Sequence, residues 1–291
     1  MPTTATGTTY TVRTITLGSN VIYWAVDDTR LGDTDIPLVV YAHGNTGAAN
    51  QFSAFGAWQG TREWLIDNGY AYVECTGGGL SSWGNQQARD DYEQAVAYVM
   101  TQIDVSQIVP LGRSMGGIVS YWLYTHSTLV EPLAAGLIIN SGVTDLTAWL
   151  GPYPGYADYR TPLGILADGS NYNTVLDSFD PMRQPEADWD GGKKVLQLWG
   201  TADTTVPPAV HAQAWITKYG SHLSKLDTDI RDGGDHTQAN GSYLQTAAMT
   251  AFLFEVTGVG PEPIVETDTY KIIQAYRVGE YKRLYPMALG G

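Results

Sequence analysis

The stretch IVPLGRSMGGIVSYW, Ile108 to Trp122, decides how the rest of the chain is read. Ile108-Val109-Pro110-Leu111 is an apolar run of strand type that reaches Gly112, and apolar residues resume at helical spacing from Ile118. Between them, Gly112-Arg113-Ser114-Met115-Gly116 fits G-x-S-x-G. In a strand-to-helix turn this pattern has a mechanical meaning. The glycines relieve crowding, and the strained turn lifts the serine oxygen above the sheet edge. The N–H of the next residue, Met115, points into the same space beside the positive end of the helix. An ordinary glycine-lined turn would have the same letters, so the surrounding segments must discriminate.

Outward from that stretch, apolar runs alternate with longer helical patterns. TYTVRTITL and NVIYWAVD alternate like an antiparallel hairpin, and IPLVVYAHG is a continuous apolar run ending in glycine. FGAWQGTREWLIDNG reads as a helix stopped by Gly69, YAYVEC as a strand, TGGGLSSWG as a loop, and QARDDYEQAVAYVMTQI as an amphipathic helix. AAGLIINSG and KKVLQLWG are further strands. PAVHAQAWITKYG and YLQTAAMTAFLFEVTG are helices, with LSKLDTDIRDG partly a strand between them. Buried runs alternating with helices predict an α/β fold with a doubly wound, mostly parallel sheet covered by helices on both faces. The expected division is one domain over residues 1–258, interrupted by a cap at about 150–191, then a linker and tail at 259–291. The cap segment is rich in Pro, Gly, Tyr and Asp, and Tyr153, Tyr156, Tyr159 and Tyr172 favour an ordered lid. The tail carries apolar Ile272, Ile273, Tyr276 and Val278 beside basic Lys271, Arg277, Lys282 and Arg283.

Composition narrows the function. The 291 residues are 43% hydrophobic, enough for a large core, and carry a formal net charge of −14. That charge opposes nucleic acid as a partner. No uncharged apolar stretch is long enough to span a bilayer, and MPTTATGTTYTVRTITLGSN lacks a basic start followed by an apolar run. The expectation is therefore no membrane insertion and, by default, a cytoplasmic location, with an extracellular or particle-associated one left open. Cys75 is the only cysteine and reads as a small core residue. No cysteine–histidine cluster has metal-ligand spacing, so neither a metal nor a cofactor is expected.

A serine hydroxyl needs a base. Of the five histidines, His126 and His211 fall inside helical patterns and His222 in a polar turn, where surface or packing roles suffice. His236, in DGGDHTQ, lies in a glycine-rich loop after a strand, from which a base can reach over the sheet edge. A solvated loop histidine is the competing reading. Asp203, in VLQLWGTADTTVPP, follows another strand and can orient the imidazole. An Asx-type turn before Pro207 competes there. Each of Ser114, Asp203 and His236 follows its own strand, in the chain order serine, acid, histidine. The turn His43-Gly44-Asn45-Thr46 follows the first buried strand. It offers the Asn45 N–H, or less favourably that of Thr46, as second oxyanion donor beside Met115.

YAHGNTG, TGGGLSSWG, PLGRSMGG, LWGTADTTVP and GGDHTQ together resemble the oxyanion, post-strand, nucleophile, acid and histidine segments of the α/β-hydrolase superfamily, over roughly Ile36 to Gly258. The resemblance implies a catalytic triad of Ser114, Asp203 and His236. The chain departs from it at Thr76-Gly77-Gly78-Gly79, where many relatives carry D-R-G-x-G. The expected activity is hydrolysis of a carboxylic ester, small or polymer-linked, through an acyl-enzyme. A serine peptidase is the first alternative. A binding or structural module docking a larger assembly, or a second copy, through the tail is the other.

Overall fold

The computed structural model describes residues 2–150, 157–237, 247–260, 275–278 and 281–284. Eight strands form one sheet: β1 (Arg13–Leu17), β2 (Asn20–Ala25), β3 (Ile36–Ala42), β4 (Ala71–Cys75), β5 (Val105–Arg113), β6 (Leu137–Asn140), β7 (Lys194–Gly200) and β8 (Lys225–Arg231). Their order is β1-β2-β4-β3-β5-β6-β7-β8. β1, β2 and β4 pair antiparallel, and every pairing from β4 through β3 to β8 is parallel. The sequence explains the placing. β3 and β4 are buried at every position, as a strand covered on both faces requires. RTITL and KLDTDIR alternate between half-buried and more exposed positions, and they form the two edges.

Nine helices are described: α1 (Gln51–Ala54), α2 (Gln59–Asp67), α3 (Gln86–Met100), α4 (Gly116–Thr125), α5 (Leu146–Leu150), α6 (Ala157–Leu163), α7 (Tyr172–Phe179), α8 (Ala212–Tyr219) and α9 (Ala247–Thr257). On one face Phe52, Leu65, Ile66, Phe252 and Leu253 of α1, α2 and α9 pack against Val39, Tyr41, Val109 and Leu111. On the other, α3 and α4 cover Leu38, Val40, Val73 and Ile108. Near β6 and β7, Trp215 and Tyr219 of α8 meet Tyr121, Tyr124 and Trp189.

The mostly parallel, doubly wound architecture is as the sequence implies, with local differences. FGAW does not extend α2, because Gly56–Trp58 forms a separate 3₁₀ turn. α8 starts only at Ala212. The N–H groups of Val210 and His211 both turn back to Pro207 O, and His211 has φ −103° and ψ −86°, outside the helical region. Tyr153 and Tyr156 lie outside the described residues. In the tail, β9 (Ala275–Val278) and β10 (Tyr281–Leu284) pair antiparallel.

β4 lies on one side of β3 and β5 on the other, so chain direction across the sheet reverses between β3 and β5. A crevice opens at the carboxyl ends of strands at such a switch point. His43–Thr46 leaves β3 there, and Ser114 leaves β5.

Candidate active site

β5 ends at Arg113, and α4 begins at Gly116. Ser114 occupies the turn with φ 52°, a left-handed conformation that costs a non-glycine residue about 1–3 kcal/mol. Three backbone bonds hold it: Ser114 N–H to Asn140 O (3.1 Å), and Gly117 and Val143 N–H to Ser114 O (3.0 and 2.9 Å). The glycines are sterically required. A Cβ on Gly116 would lie 2.1 Å from Ala42 O, and one on Gly112 would lie 2.7 Å from Gly116 O and from Gly117 Cα. β3, β5 and α4 thus approach backbone to backbone around the serine.

Asp203 follows β7, and its side chain is fully buried. Its Oδ1 accepts the N–H groups of Thr205 (3.0 Å) and Val206 (2.8 Å). Its Oδ2 lies 2.7 Å from His236 Nδ1. The Asx turn and the carboxylate–imidazole bond, competing readings in the sequence, coexist because the carboxylate has two oxygens. His236 follows β8, and its Nε2 lies 3.0 Å from Ser114 Oγ. With the carboxylate accepting from Nδ1–H, Nε2 carries the lone pair and the serine O–H donates to it. The acid and histidine loops are tied to each other, with Ala202 N–H on Gly234 O at 2.9 Å and Gly233 N–H on Thr201 Oγ1 at 2.8 Å.

Thr46 N–H is committed to Leu80 O at 2.7 Å, which removes it as an oxyanion donor. No turn or loop bond from the N–H of Asn45 or Met115 is formed among the described residues. The Asn45 side chain accepts from Ser81 O–H at 2.6 Å. His43 is buried and has its ring nitrogens 2.9 Å from Gly44 O and 3.0 Å from Thr76 O, so it shapes the turn instead of facing the serine. His126 follows α4 and pairs with Asp188, and His222 sits between Glu186 and Asp190.

Sequence reasoning missed several residues around this site. Arg113, beside Ser114, is 7% exposed, and a Cβ on Gly44 would lie 2.6 Å from its guanidinium. Burial lowers its pKa, opposed by Tyr41 and Asp203. Glu74 on β4 is buried, and its two oxygens accept Phe52 and Ser53 N–H at 2.6 Å each. Burial pushes its pKa up to about 8, against the pull of those donors and of Arg62. His211 Nδ1 accepts Thr144 and Asp145 N–H at 3.4 Å each, and burial lowers its pKa to about 4. None of the three carries a local pattern, because each acts through contacts distant in sequence. Cys75 is buried and free, and burial raises its thiol pKa far from thiolate chemistry. Among the described residues no group of three His, Cys, Asp or Glu is placed to hold a metal ion, and no helix is long and apolar enough to cross a membrane.

The overall fold is shared with solved structures. The chain has the α/β-hydrolase fold. It superposes on a prolyl endopeptidase with a TM-score of 0.63 and 18% identity, over 86% of this chain and 39% of that one. Oligopeptidase B from Leishmania major gives 0.63 and 14%, over 86% and 37%. A puromycin-hydrolysing peptidase of Mycobacterium tuberculosis gives 0.63 and 16%, over 90% and 41%. The chain therefore spans about two fifths of the length of these peptidases. No protein-family model and no curated protein matches it.

Proposed function

We propose that this chain is a serine hydrolase that cleaves an acyl bond through a covalent acyl-enzyme. The observation that carries the reading is the continuous chain from Ser114 Oγ through His236 to the buried Asp203 carboxylate. Ser114 Oγ attacks the carbonyl carbon while its proton passes to His236 Nε2. Asp203 holds the imidazole in the required tautomer and stabilises the imidazolium. The carbonyl oxygen, now an anion, is bound by the Met115 and Asn45 N–H groups, a contribution worth about 10²–10³ in kcat per donor elsewhere. Collapse of the tetrahedral intermediate expels the leaving group with the His236 proton. Water then repeats the sequence on the acyl-enzyme and regenerates Ser114.

For the scissile bond, we place a peptide or amide ahead of the carboxylic ester expected from the sequence. The solved structures sharing the fold support this, since those named above are described as peptidases or as hydrolysing puromycin. A triad that expels an amine must deliver the His236 proton to the leaving nitrogen, a demand an activated ester does not make. The experiment has two parts. A fluorophosphonate should label wild-type protein at Ser114 and leave Ser114→Ala unlabelled; labelling elsewhere, or none, refutes the hydrolase reading. A p-nitroanilide and a p-nitrophenyl ester with the same acyl group should both turn over. Ester turnover with no anilide turnover across a set of acyl groups would return the assignment to an esterase.

A further inference from the structure

The Asn45 N–H lies in a turn that the Gly47 N–H closes by donating to Gly44 O at 2.9 Å. Gly44 precedes it, and Thr46 follows with φ 61°, a strained conformation for a β-branched residue. The structure holds this turn from outside on both sides. Gln51 Oε1 accepts the Gly44 N–H at 3.2 Å and the Tyr41 O–H at 2.8 Å. Ser81 O–H donates to Asn45 Oδ1 at 2.6 Å, and Leu80 O takes the Thr46 N–H at 2.7 Å. Gln51 is itself fixed. It opens α1, whose next two N–H groups end on the buried Glu74 carboxylate of β4, and Phe52 stacks on Tyr41 of β3 with ring centroids 4.7 Å apart. A chain of contacts thus runs from the sheet through Gln51 to the peptide preceding Asn45. On the far side, the TGGGLSSWG loop closes on the same turn.

On the hydrolase reading above, we propose that Gln51 and Ser81 are positioning residues for the oxyanion donor Asn45, Gln51 acting through Gly44 and Ser81 through the Asn45 side chain. A preorganised N–H stabilises the developing anion only if it is aimed at the oxyanion's position before the reaction begins. A misplacement of about 1 Å costs on the order of 10²-fold in rate. Neither residue needs to touch the substrate. Their loss should therefore appear in steps that pass through the tetrahedral species and leave ground-state binding nearly unchanged.

The test uses the full chain and three probes: a fluorophosphonate, phenylboronic acid and p-nitrophenyl acetate. Gln51→Met keeps the length of the side chain and removes the acceptor. Ser81→Ala removes the hydroxyl, and Ser81→Thr restores it. The expected result is a fall of about 10- to 100-fold in the labelling rate at Ser114 and in kcat for Gln51→Met and Ser81→Ala. KM should stay within about threefold, boronate affinity should fall in step with kcat/KM, and Ser81→Thr should lie close to wild type. Wild-type rates in both variants, an equal loss in Ser81→Thr, or unchanged boronate affinity despite a fallen kcat would each overturn the proposal. If circular dichroism shows Gln51→Met unfolded, the Ser81 pair decides alone. Wild-type protein that does not label at Ser114 refutes the hydrolase reading instead, so the two failures are separable.

Discussion

The elbow and the cap meet at Met115 but are built by different physics. Met115 follows Ser114 and also belongs to the apolar cluster that seats the cap, with Leu146, Leu150, Leu163, Ile165 and Leu176. Around the elbow, contact is backbone on backbone. Gly116 abuts Ala42 O, a Cβ on Gly117 would lie 3.0 Å from Gly142 Cα, and the strained Ser114 is held by three main-chain bonds. The cap, by contrast, is attached through side chains. Trp83 packs against Trp149 and Tyr159 with centroids 5.3 and 4.7 Å apart, Asn85 Nδ2 reaches Pro162 O at 2.8 Å, and Arg89 reaches Ser178 O at 2.7 Å. The first arrangement has no room for an added atom. The second consists of pins that can be removed one at a time. Geometry at Ser114 is thereby built independently of the way residues 157–191 are attached.

The largest effect should come from adding one carbon to the elbow. In Gly116→Ala the new Cβ meets Ala42 O at 2.1 Å, and both atoms belong to packed backbone that cannot swing aside. We expect a loss of more than about 4 kcal/mol of stability, or no folded protein, measured by urea titration. An Ala variant with native stability would show that the close contact is not needed. Ser114→Ala sharpens the comparison. It removes an atom at the same site, so the fold should persist. Turnover should drop by at least about 10³-fold, and kcat of the purified variant checks it.

His211 joins the segment after β7 to the residues just before α5, and acid should loosen that junction without touching the elbow. Its folded pKa, about 4, lies below the usual 6.5 because burial disfavours the imidazolium, against the opposing pull of Asp145 and Asp203. Between those values the unfolded chain binds the proton and the folded chain does not, so stability rises with pH across the window and is lost as pH falls through it. The full effect is ~3 kcal/mol below about pH 4. His211→Asn keeps an acceptor for the Thr144 and Asp145 N–H groups and removes the titration. Melting temperatures between pH 7 and 4 should therefore fall less steeply in the variant; parallel curves would remove His211 as the cause.

The contrast also explains what was legible in the sequence. Ser114, Asp203 and His236 lie in short loops after strongly patterned strands, so local letters and chain order single them out, and the fold brings the three into hydrogen-bond contact. The same strand-to-loop logic offers Asn45 and Met115 as candidate donors, while the Thr46 N–H, the alternative to Asn45, is bonded to Leu80 O. Gln51 left no trace, because a four-residue helix has no period to read and its partners, Gly44 and Tyr41, are chosen by the fold. His211 carries the same helical pattern in the sequence as its neighbours. Its turn, closed on Pro207 O, and its acceptor role toward residues more than sixty positions earlier become visible only when β6 and β7 lie side by side. Side-chain pins between distant segments, including all those of the cap, are the class of feature that periodicity does not encode.

The smallest expected effect tests a single pin of the cap. Arg89, on α3, is 7% exposed, with its guanidinium 4.9 Å from the Trp122 ring and 4.3 Å from the Phe179 ring of α7. Its NH2 group donates to Ser178 O, and burial lowers its pKa to about 10, so it remains a cation at neutral pH. A lysine at this position keeps the charge but loses the flat face that stacks between two rings and the fork that reaches the carbonyl. Arg89→Lys should therefore cost ~1 kcal/mol, read as a small shift in the urea midpoint. Protease cleavage near α7 should become faster, because the C-terminal end of that helix loses an anchor. The elbow shares no atoms with this pin, so the labelling rate at Ser114 with a small fluorophosphonate should stay within about threefold of wild type. A fall in that rate as large as the one expected for Ser81→Ala would mean that the cap and the elbow are mechanically coupled through Met115, and that the division between them drawn here is wrong.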